Sequence, residues 1–241
     1  MDEYTAFTVA DGQLKLGILA FEYGITDRLS VGTDPPAWAA GAVVATWAPN
    51  LHLKYTLLAR ERWRLSGQVA GYLADLSATG SEGSTLAVIP LTALASVALA
   101  DKWWIHLEGN YNFIDASGTI DFDRVDLAGA VSTESTQVGA MLEYRPTPKL
   151  ALTLRGRSQL WMRPLSIRGD SQIDPYTRVD VQAEMVPSLE HPYTVVASVS
   201  CFWRHVHARV GGGYGTYFIP GANLYLPYTG LIPDASLALV F

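Results

Sequence analysis

The chain has 241 residues, of which 49% are hydrophobic, 11% aromatic and only 17% charged, and its net charge is −6. This composition excludes a disordered protein, because disordered chains are charged and poor in aromatic residues. It also argues against an ordinary cytosolic enzyme, since such enzymes carry about 25% charged residues. The negative charge offers no basic footprint for nucleic acid, so no nucleic-acid partner is expected. The length indicates a single domain, residues 1–241.

The chain is apolar enough for a membrane but lacks the run of about 20 apolar residues that a membrane-spanning helix needs. The segments 35–51 and 84–100 come nearest, and both are short and interrupted by proline. A lone Cys201 excludes an internal disulfide and a cysteine-based zinc cluster. The chain begins Met1-Asp2-Glu3-Tyr4, which is not a signal peptide. We therefore expect either a cytosolic protein or one whose signal has been removed.

Apolar residues recur at every second position along most of the chain, which is the period of a β-strand with one apolar and one polar face. In the segment 51–57, for example, Leu51 and Leu53 alternate with His52 and Lys54. The predicted strands, in chain order, are 3–10, 13–24, 28–34, 49–60, 63–76, 85–99, 102–115, 134–146, 149–163, 176–187, 192–203, 206–218, 222–227 and 231–241. This makes fourteen, with twelve as the alternative if 3–10 or 222–227 fails, because bacterial single-chain barrels have an even number.

Short and long connections alternate between these strands. The short turns are 26–28, 60–62, 101–102 and 147–149, and the longer polar segments are 77–84, 115–135 and 165–176. In an up-and-down barrel this alternation places the short turns at one end and the long loops at the other, as in a transmembrane β-barrel.

Aromatic residues mark the predicted membrane boundary. Tyr23, Trp63, Trp103 and Tyr144 each lie within about three residues of a short turn, as amphipathic rings at headgroup depth do. We assign Tyr193 to the same girdle of interfacial aromatic residues.

The chain ends on an alternating strand in which Leu237, Leu239 and Phe241 share one face. This ending resembles the C-terminal assembly signature of Gram-negative outer-membrane β-barrels. The resemblance implies an all-β, closed antiparallel transmembrane barrel in the cell outer membrane, in contact with the lipid bilayer and lipopolysaccharide. It also implies that the barrel-assembly machinery recognises the last strand through Phe241. The composition, rich in alanine and tryptophan and with arginine as the main cation, is similar to that of myxobacterial barrels. Some of those barrels belong to gliding-motility assemblies.

The polar parity of the strands predicts which side chains line the barrel lumen. The lumen-lining candidates are Lys54, Arg64, His106, Glu108, Glu143, Arg145, Arg155, Arg157, Arg163, Arg178, Asp180 and Glu184. Three successive predicted strands carry an acidic and a basic residue, then two basic residues, then two acidic residues. In such a stripe, acidic and basic side chains on neighbouring strands pair with each other within the barrel wall. It is interpreted either as a rigid polar interior or as an anion-favouring pore.

The sequence contains only weak signals for catalysis or metal binding. His191, His205 and His207 lie near Ser198 and Ser200 in sequence, but no Gly-x-Ser-x-Gly element occurs. Two histidines in a His-x-His pair are insufficient for a metal site. We therefore predict no catalytic residue, no metal and no cofactor.

Three functions remain open at this stage. The first is a structural or scaffolding barrel of an envelope-spanning assembly, such as a motility or export complex, with other envelope proteins as partners. Compact loops, the expected absence of a plug and a self-paired lumen favour it. The alternative is a narrow passive channel for small, anionic solutes. The third is an outer-membrane lipid hydrolase.

Overall fold

The computed structural model describes residues 5–38, 48–75, 84–122, 125–174, 177–185, 192–219 and 221–241. Within these ranges, the side chains of 119–122, 125–129, 131, 165–174, 177–185 and 227 are outside the description. In the described part of the chain, no helix is long and apolar enough to cross a membrane.

The described chain is built of fourteen β-strands. They are β1 (Leu14–Gly17), β2 (Phe21–Thr26), β3 (Leu29–Thr33), β4 (Asn50–Ala59), β5 (Trp63–Asp75), β6 (Thr85–Ala100), β7 (Trp103–Phe122), β8 (Val125–Thr147), β9 (Leu150–Met162), β10 (Leu165–Asp174), β11 (Thr177–Met185), β12 (Tyr193–Phe202), β13 (Val206–Ile219) and β14 (Leu224–Val240).

All pairings are antiparallel, and the sheet closes on itself. The first strand pairs with the last, with Lys15 opposite Val240, and β8 pairs with β9 to complete the ring. The ring contains twelve strands, β1 to β9 and β12 to β14. Outside the ring, β10 pairs with β8 and β11 pairs with β10. The predicted closed antiparallel barrel is therefore confirmed, with the alternative count of twelve strands.

The extra strand β10 prolongs β9 of the ring. Met162 at the end of β9 lies opposite Ser135 of β8, and Ser166 of β10 lies opposite Ser132 of the same strand. Both β9 and β10 pair with β8 in the antiparallel sense, along successive parts of it. They therefore form one continuous edge, with an irregularity between the two strands. The segment 165–176, expected to be a loop, thus contains a strand.

The ring has the alternative count of twelve for local reasons. The predicted strand 176–187 corresponds to β11, which lies outside the ring. Residues 5–10 are not a strand, and the predicted strand 13–24 divides into the short strands β1 and β2. The predicted strands 222–227 and 231–241 are joined in β14.

The four predicted short turns lie at one end of the barrel, as expected. The turns after β2, β4, β6 and β8 lie there, together with the turn after β12 and the end of β14 at Phe241. We call this the short-turn end. At the other end β7 and β8 reach 20 and 23 residues, although a membrane crossing needs only about 9–11. These strands therefore continue beyond the membrane, through the segment 115–135 that was expected to be a loop.

The barrel is apolar outside and polar inside. In β4, Leu51, Leu53, Tyr55 and Leu57 are 40% to 57% exposed, whereas the alternating side chains of this strand are buried. Among the described residues, buried polar side chains outnumber buried apolar ones. This is the reverse of a water-soluble protein and is expected for a barrel surrounded by lipid.

The aromatic residues assigned to the girdle lie on the outer face. Tyr23, Trp63 and Trp103 are exposed near the short-turn end, and the rings of Trp103 and Tyr144 stack with centroids 4.6 Å apart. Tyr193 is also exposed, but it begins β12 at the end of that strand away from the short turns. Four of the five aromatic residues thus lie near the short-turn end, and Tyr193 lies toward the other end.

The barrel lumen as the candidate functional site

Residues 5–10, here called the N-terminal segment, lie inside the barrel. The backbone N–H of Ala6 donates to Ser96 Oγ at 2.9 Å, and Ser66 Oγ donates to the Ala6 carbonyl at 2.6 Å. Lys54 Nζ donates to the carbonyl of Thr5. The lumen therefore holds a plug formed by the chain's own N-terminal residues, contrary to the expectation that there is none.

The side chain of Phe7 anchors this segment to the wall. Its ring contacts Trp104 edge-on, with centroids 5.5 Å apart, and the guanidinium of Arg64 lies 4.7 Å from the centroid of the Phe7 ring. A cation over an aromatic face is attracted by the ring quadrupole. Arg64 and Lys54 thus face the lumen and contact the N-terminal segment rather than open water.

A second set of contacts joins β6, β7 and β8 beside the segment. His106 Nδ1 lies 2.7 Å from Ser96 Oγ, and its Nε2 lies 3.7 Å from a Glu143 oxygen. Glu143 also pairs with Arg145, whose side chain is 44% exposed at the short-turn end. Three predicted lumen residues, His106, Glu143 and Arg145, are therefore brought together here.

Glu108 and Arg157 form a buried ion pair on the lumen wall. They lie in one row, with Gly139 of β8 between Glu108 of β7 and Arg157 of β9. A Cβ atom at Gly139 would lie 3.3 Å from Glu108 Oε2. The glycine leaves the space through which the two charged side chains meet.

A network of buried polar side chains joins β1, β2 and β4. The sequence predictions did not include most of these residues. Lys15 pairs with Glu22 at 2.7 Å, and His52 lies 3.6 Å from Glu22 and 3.5 Å from Asp34. Asp34 accepts a hydrogen bond from the Tyr72 hydroxyl. Lys15 and Glu22 occupy the polar, inward-facing positions of their strands, and this pattern could have predicted them.

Between β13 and β14 the chain folds into the lumen. The Asn223 carbonyl accepts hydrogen bonds from Asn112 Nδ2 at 2.6 Å and Gln137 Nε2 at 2.7 Å. The Asn223 side-chain oxygen accepts one from Arg157 at 3.1 Å. We call residues 221–223 the lumen turn. Sequence reasoning missed it because it treated 222–227 as a strand.

Two neighbouring cavities of about 140 and 200 Å³ lie in the lumen. The first is bounded by Thr5 and Phe7 of the N-terminal segment, and the second by Phe218 beside the lumen turn. Both are lined by Leu19 and Arg209, so they follow one another along the lumen. Arg155 and Arg157 line the larger one.

The remaining lumen candidates lie elsewhere. Arg163 is exposed at the end of β9 and lies 3.6 Å from Glu134. Arg178, Asp180 and Glu184 are on β11, and their side chains are outside the described residues.

The predicted stripe of charge over three consecutive strands was wrong. The neighbour of β9 at Arg155 and Arg157 is β12, which places Val196 and Thr194 opposite them. Asp180 and Glu184 lie on β11, which pairs with β10 and not with β9.

Of the serines and histidines considered for catalysis, Ser200 and His207 line the smaller cavity, and Ser198 and His205 have partners elsewhere. Ser198 donates to the Asp234 carboxylate, which lies 3.1 Å from Arg209. His205 Nδ1 lies 2.9 Å from the Val240 carbonyl at the short-turn end. His191 lies outside the described residues. In the described part of the chain, no group of three or more ligand-type residues is arranged to hold a metal ion.

Comparison with known proteins gives fold-level similarity only. No family model and no curated protein matches the sequence. The chain is similar to the monoaromatic hydrocarbon channel CymD, at 9% identity and a TM-score of 0.53 over 96% of this chain and 87% of that one. It is also similar to the Pseudomonas putida toluene transporter TodX, at 9% identity and a TM-score of 0.50 over 97% and 79%. With the apolar outer face, this fold makes the chain an outer-membrane β-barrel.

Proposed function

We propose that this protein is a narrow channel for small organic anions with an apolar body. The observation that carries the proposal is the pair of consecutive lumen cavities lined by cationic and aromatic side chains. A rigid scaffold has no requirement for internal space of this kind. CymD and TodX, which share the fold, are described as a hydrocarbon channel and a toluene transporter.

The charge of the cavity walls favours anions. The lining includes five cationic residues, Lys15, Arg145, Arg155, Arg157 and Arg209, and two acidic ones, Glu143 and Asp234. Glu22 and Glu108 pair with Lys15 and Arg157 from outside the lining. In a space bounded by low-dielectric walls, a lining with more cationic than acidic residues acts strongly on a passing ion.

The apolar part of the lining favours a solute with a hydrocarbon body. Phe7 and Phe202 line the smaller cavity, and Phe218, Ile232 and Leu19 line the larger one. Aromatic and aliphatic walls with a few placed polar groups are typical of small-molecule sites. Benzoate combines the required charge and ring, so it is the probe that we choose.

The proposal is tested by reconstituting the purified protein in planar bilayers and in liposomes. A potassium chloride gradient is expected to give a reversal potential of the sign for anion selectivity. Benzoate is expected to enter liposomes faster than benzylammonium, which has a similar size and the opposite charge. Arg155→Gln is expected to reduce both preferences, whereas Arg60→Gln, in an exposed short turn, is the matched control. A folded barrel without conductance above that of lipid alone contradicts the proposal.

A second candidate is a structural component of an envelope-spanning assembly, such as a motility or export complex. The observation that favours it is the length of β7 and β8, which extend past the membrane and carry β10 and β11. An extension of this kind offers paired strands as a contact surface for another envelope protein. Crosslinking from this extension in cells, followed by identification of the attached proteins, distinguishes it from a channel.

A further inference from the structure

We propose that the lumen turn, residues 221–223, is the constriction that decides which solutes pass, and that Asn223 holds it in place. This inference rests on the proposed channel function and adds the element that sets its size limit. The turn closes on itself through the Asn223 N–H, which donates to the Ile219 carbonyl at 3.0 Å. Asn223 has a φ of +55°, a left-handed conformation that asparagine adopts more readily than most residues.

The turn is fastened by donors from three wall strands. Asn112 of β7 and Gln137 of β8 donate their side-chain amides to the Asn223 carbonyl, and Arg157 of β9 donates to its side-chain oxygen. All three donors are buried, so water does not compete for these hydrogen bonds. Buried hydrogen bonds of this kind specify one position for the group they hold.

The other side of the turn presses against the far wall. Gly221 has a φ of +78°, and a Cβ atom there would lie 2.3 Å from the Tyr72 hydroxyl and 2.6 Å from Asp34 Oδ2. Only glycine fits both the backbone angle and the space. Ala222 packs against the buried cluster that contains Tyr72 of β5.

The turn therefore crosses the lumen. It leaves the wall at β13 and β14 and contacts side chains of β5 and β7 across the twelve-stranded ring, as well as side chains of β8 and β9. The larger cavity lies next to it, lined by Phe218 and Arg157. Arg157 contacts both the turn and Glu108, so the position of the turn is linked to the charge that lines this cavity.

The test releases the turn through substitutions in the wall strands that fasten it. In the double variant Asn112→Leu and Gln137→Leu, both amide donors to the Asn223 carbonyl are lost and side-chain volume is roughly kept. Asn110→Leu is the matched control, because Asn110 is a buried asparagine on the same strand that donates to Thr92 instead. Each protein also carries Ala222→Cys in a Cys201→Ser background, so that the turn bears the only thiol.

Two readouts are taken, maleimide labelling of the thiol at position 222 and the size limit for solutes in liposome swelling. The double variant is expected to label about tenfold faster than the control, because two hydrogen bonds are lost. It is also expected to admit larger solutes and to show a severalfold higher conductance. Unchanged labelling in a folded barrel overturns the role of Asn112 and Gln137, and faster labelling with an unchanged size limit overturns the constriction. Absence of conductance from every protein removes the proposed channel itself, and the constriction with it.

Discussion

Glu108 and Arg157 form an ion pair across a whole strand, because the residue between them in the sheet is a glycine. Their strands, β7 and β9, are not neighbours, and Gly139 of β8 separates them in the row. The guanidinium of Arg157 also lies 3.9 Å from the centroid of the Phe218 ring. One arginine thus joins the wall, the lumen turn and the larger cavity.

Gly139→Val is expected to destabilise the barrel by about 1–3 kcal/mol, because extra methyl groups enter the space used by the Glu108 carboxylate. Gly156→Val is the matched control, since a Cβ atom at Gly156 meets nothing within 4 Å. Denaturant unfolding in the presence of lipid vesicles measures the difference. Equal stability of the two variants would show that the glycine is not required for the ion pair.

The alternation of the sequence predicted the strand faces because lipid and lumen impose opposite demands on every crossing residue. In β4, Leu53 faces lipid and Lys54 faces the interior, and the period of two follows directly. Beyond the membrane both faces of a strand meet water, and the alternation is no longer enforced. The polar residues of β10, and of the ends of β7 and β8 away from the short turns, were therefore predicted to be loops, although they pair in the sheet.

The lumen contents were harder to predict because their contacts are between residues far apart in sequence. The alternation in 3–10 is that of a strand, yet Ala6 hydrogen bonds with Ser66 and Ser96 inside the barrel. Asn223 meets Asn112 and Gln137 only after the ring has closed. No local pattern distinguishes a residue that pairs in the wall from one that fills the space within it.

Trp103 and Tyr144 are expected to be energetically coupled by about 0.5–1.5 kcal/mol, because their rings stack at 4.6 Å on the outer face. A double-mutant cycle with Trp103→Ala and Tyr144→Ala, measured by reversible unfolding in lipid, gives this value. Trp63 is on β5 and has its own position in the girdle, so the cycle with Trp63→Ala and Tyr144→Ala is the control and should be additive. Additivity in both cycles would remove the stack as a stabilising contact.

Phe241→Ala is expected to reduce assembly in cells while leaving the folded barrel stable. The N–H and carbonyl of Phe241 pair with Leu14 at 2.9 and 3.1 Å, whereas its side chain is exposed, so closure of the barrel depends on the backbone. Heat-modifiable bands are compared in outer-membrane fractions and after refolding in detergent. Leu237→Ala, on the same face of the last strand, is the control. An equal loss in both settings would indicate a folding role instead of recognition by the assembly machinery.

Release of the N-terminal segment is expected when Ser66 and Ser96 are both changed to alanine. Ser66 donates to the Ala6 carbonyl and Ser96 accepts from the Ala6 N–H, so the double variant removes two buried hydrogen bonds to one residue. At about 1 kcal/mol each, their loss raises the population of the released segment by about tenfold or more. Chymotrypsin cleavage after Phe7, followed by mass spectrometry, measures that population when cleavage is slow relative to reclosing.

Ser30→Ala is the control for this experiment, because Ser30 is equally buried and its hydroxyl has no hydrogen-bond partner among the described residues. A heat-modifiable gel shift verifies that each barrel remains folded. Cleavage of the double variant at the rate of the control would show that the hydroxyls do not hold the segment. The packing of Phe7 against Trp104 and Arg64 would then account for its position, and Phe7→Ala would release it instead.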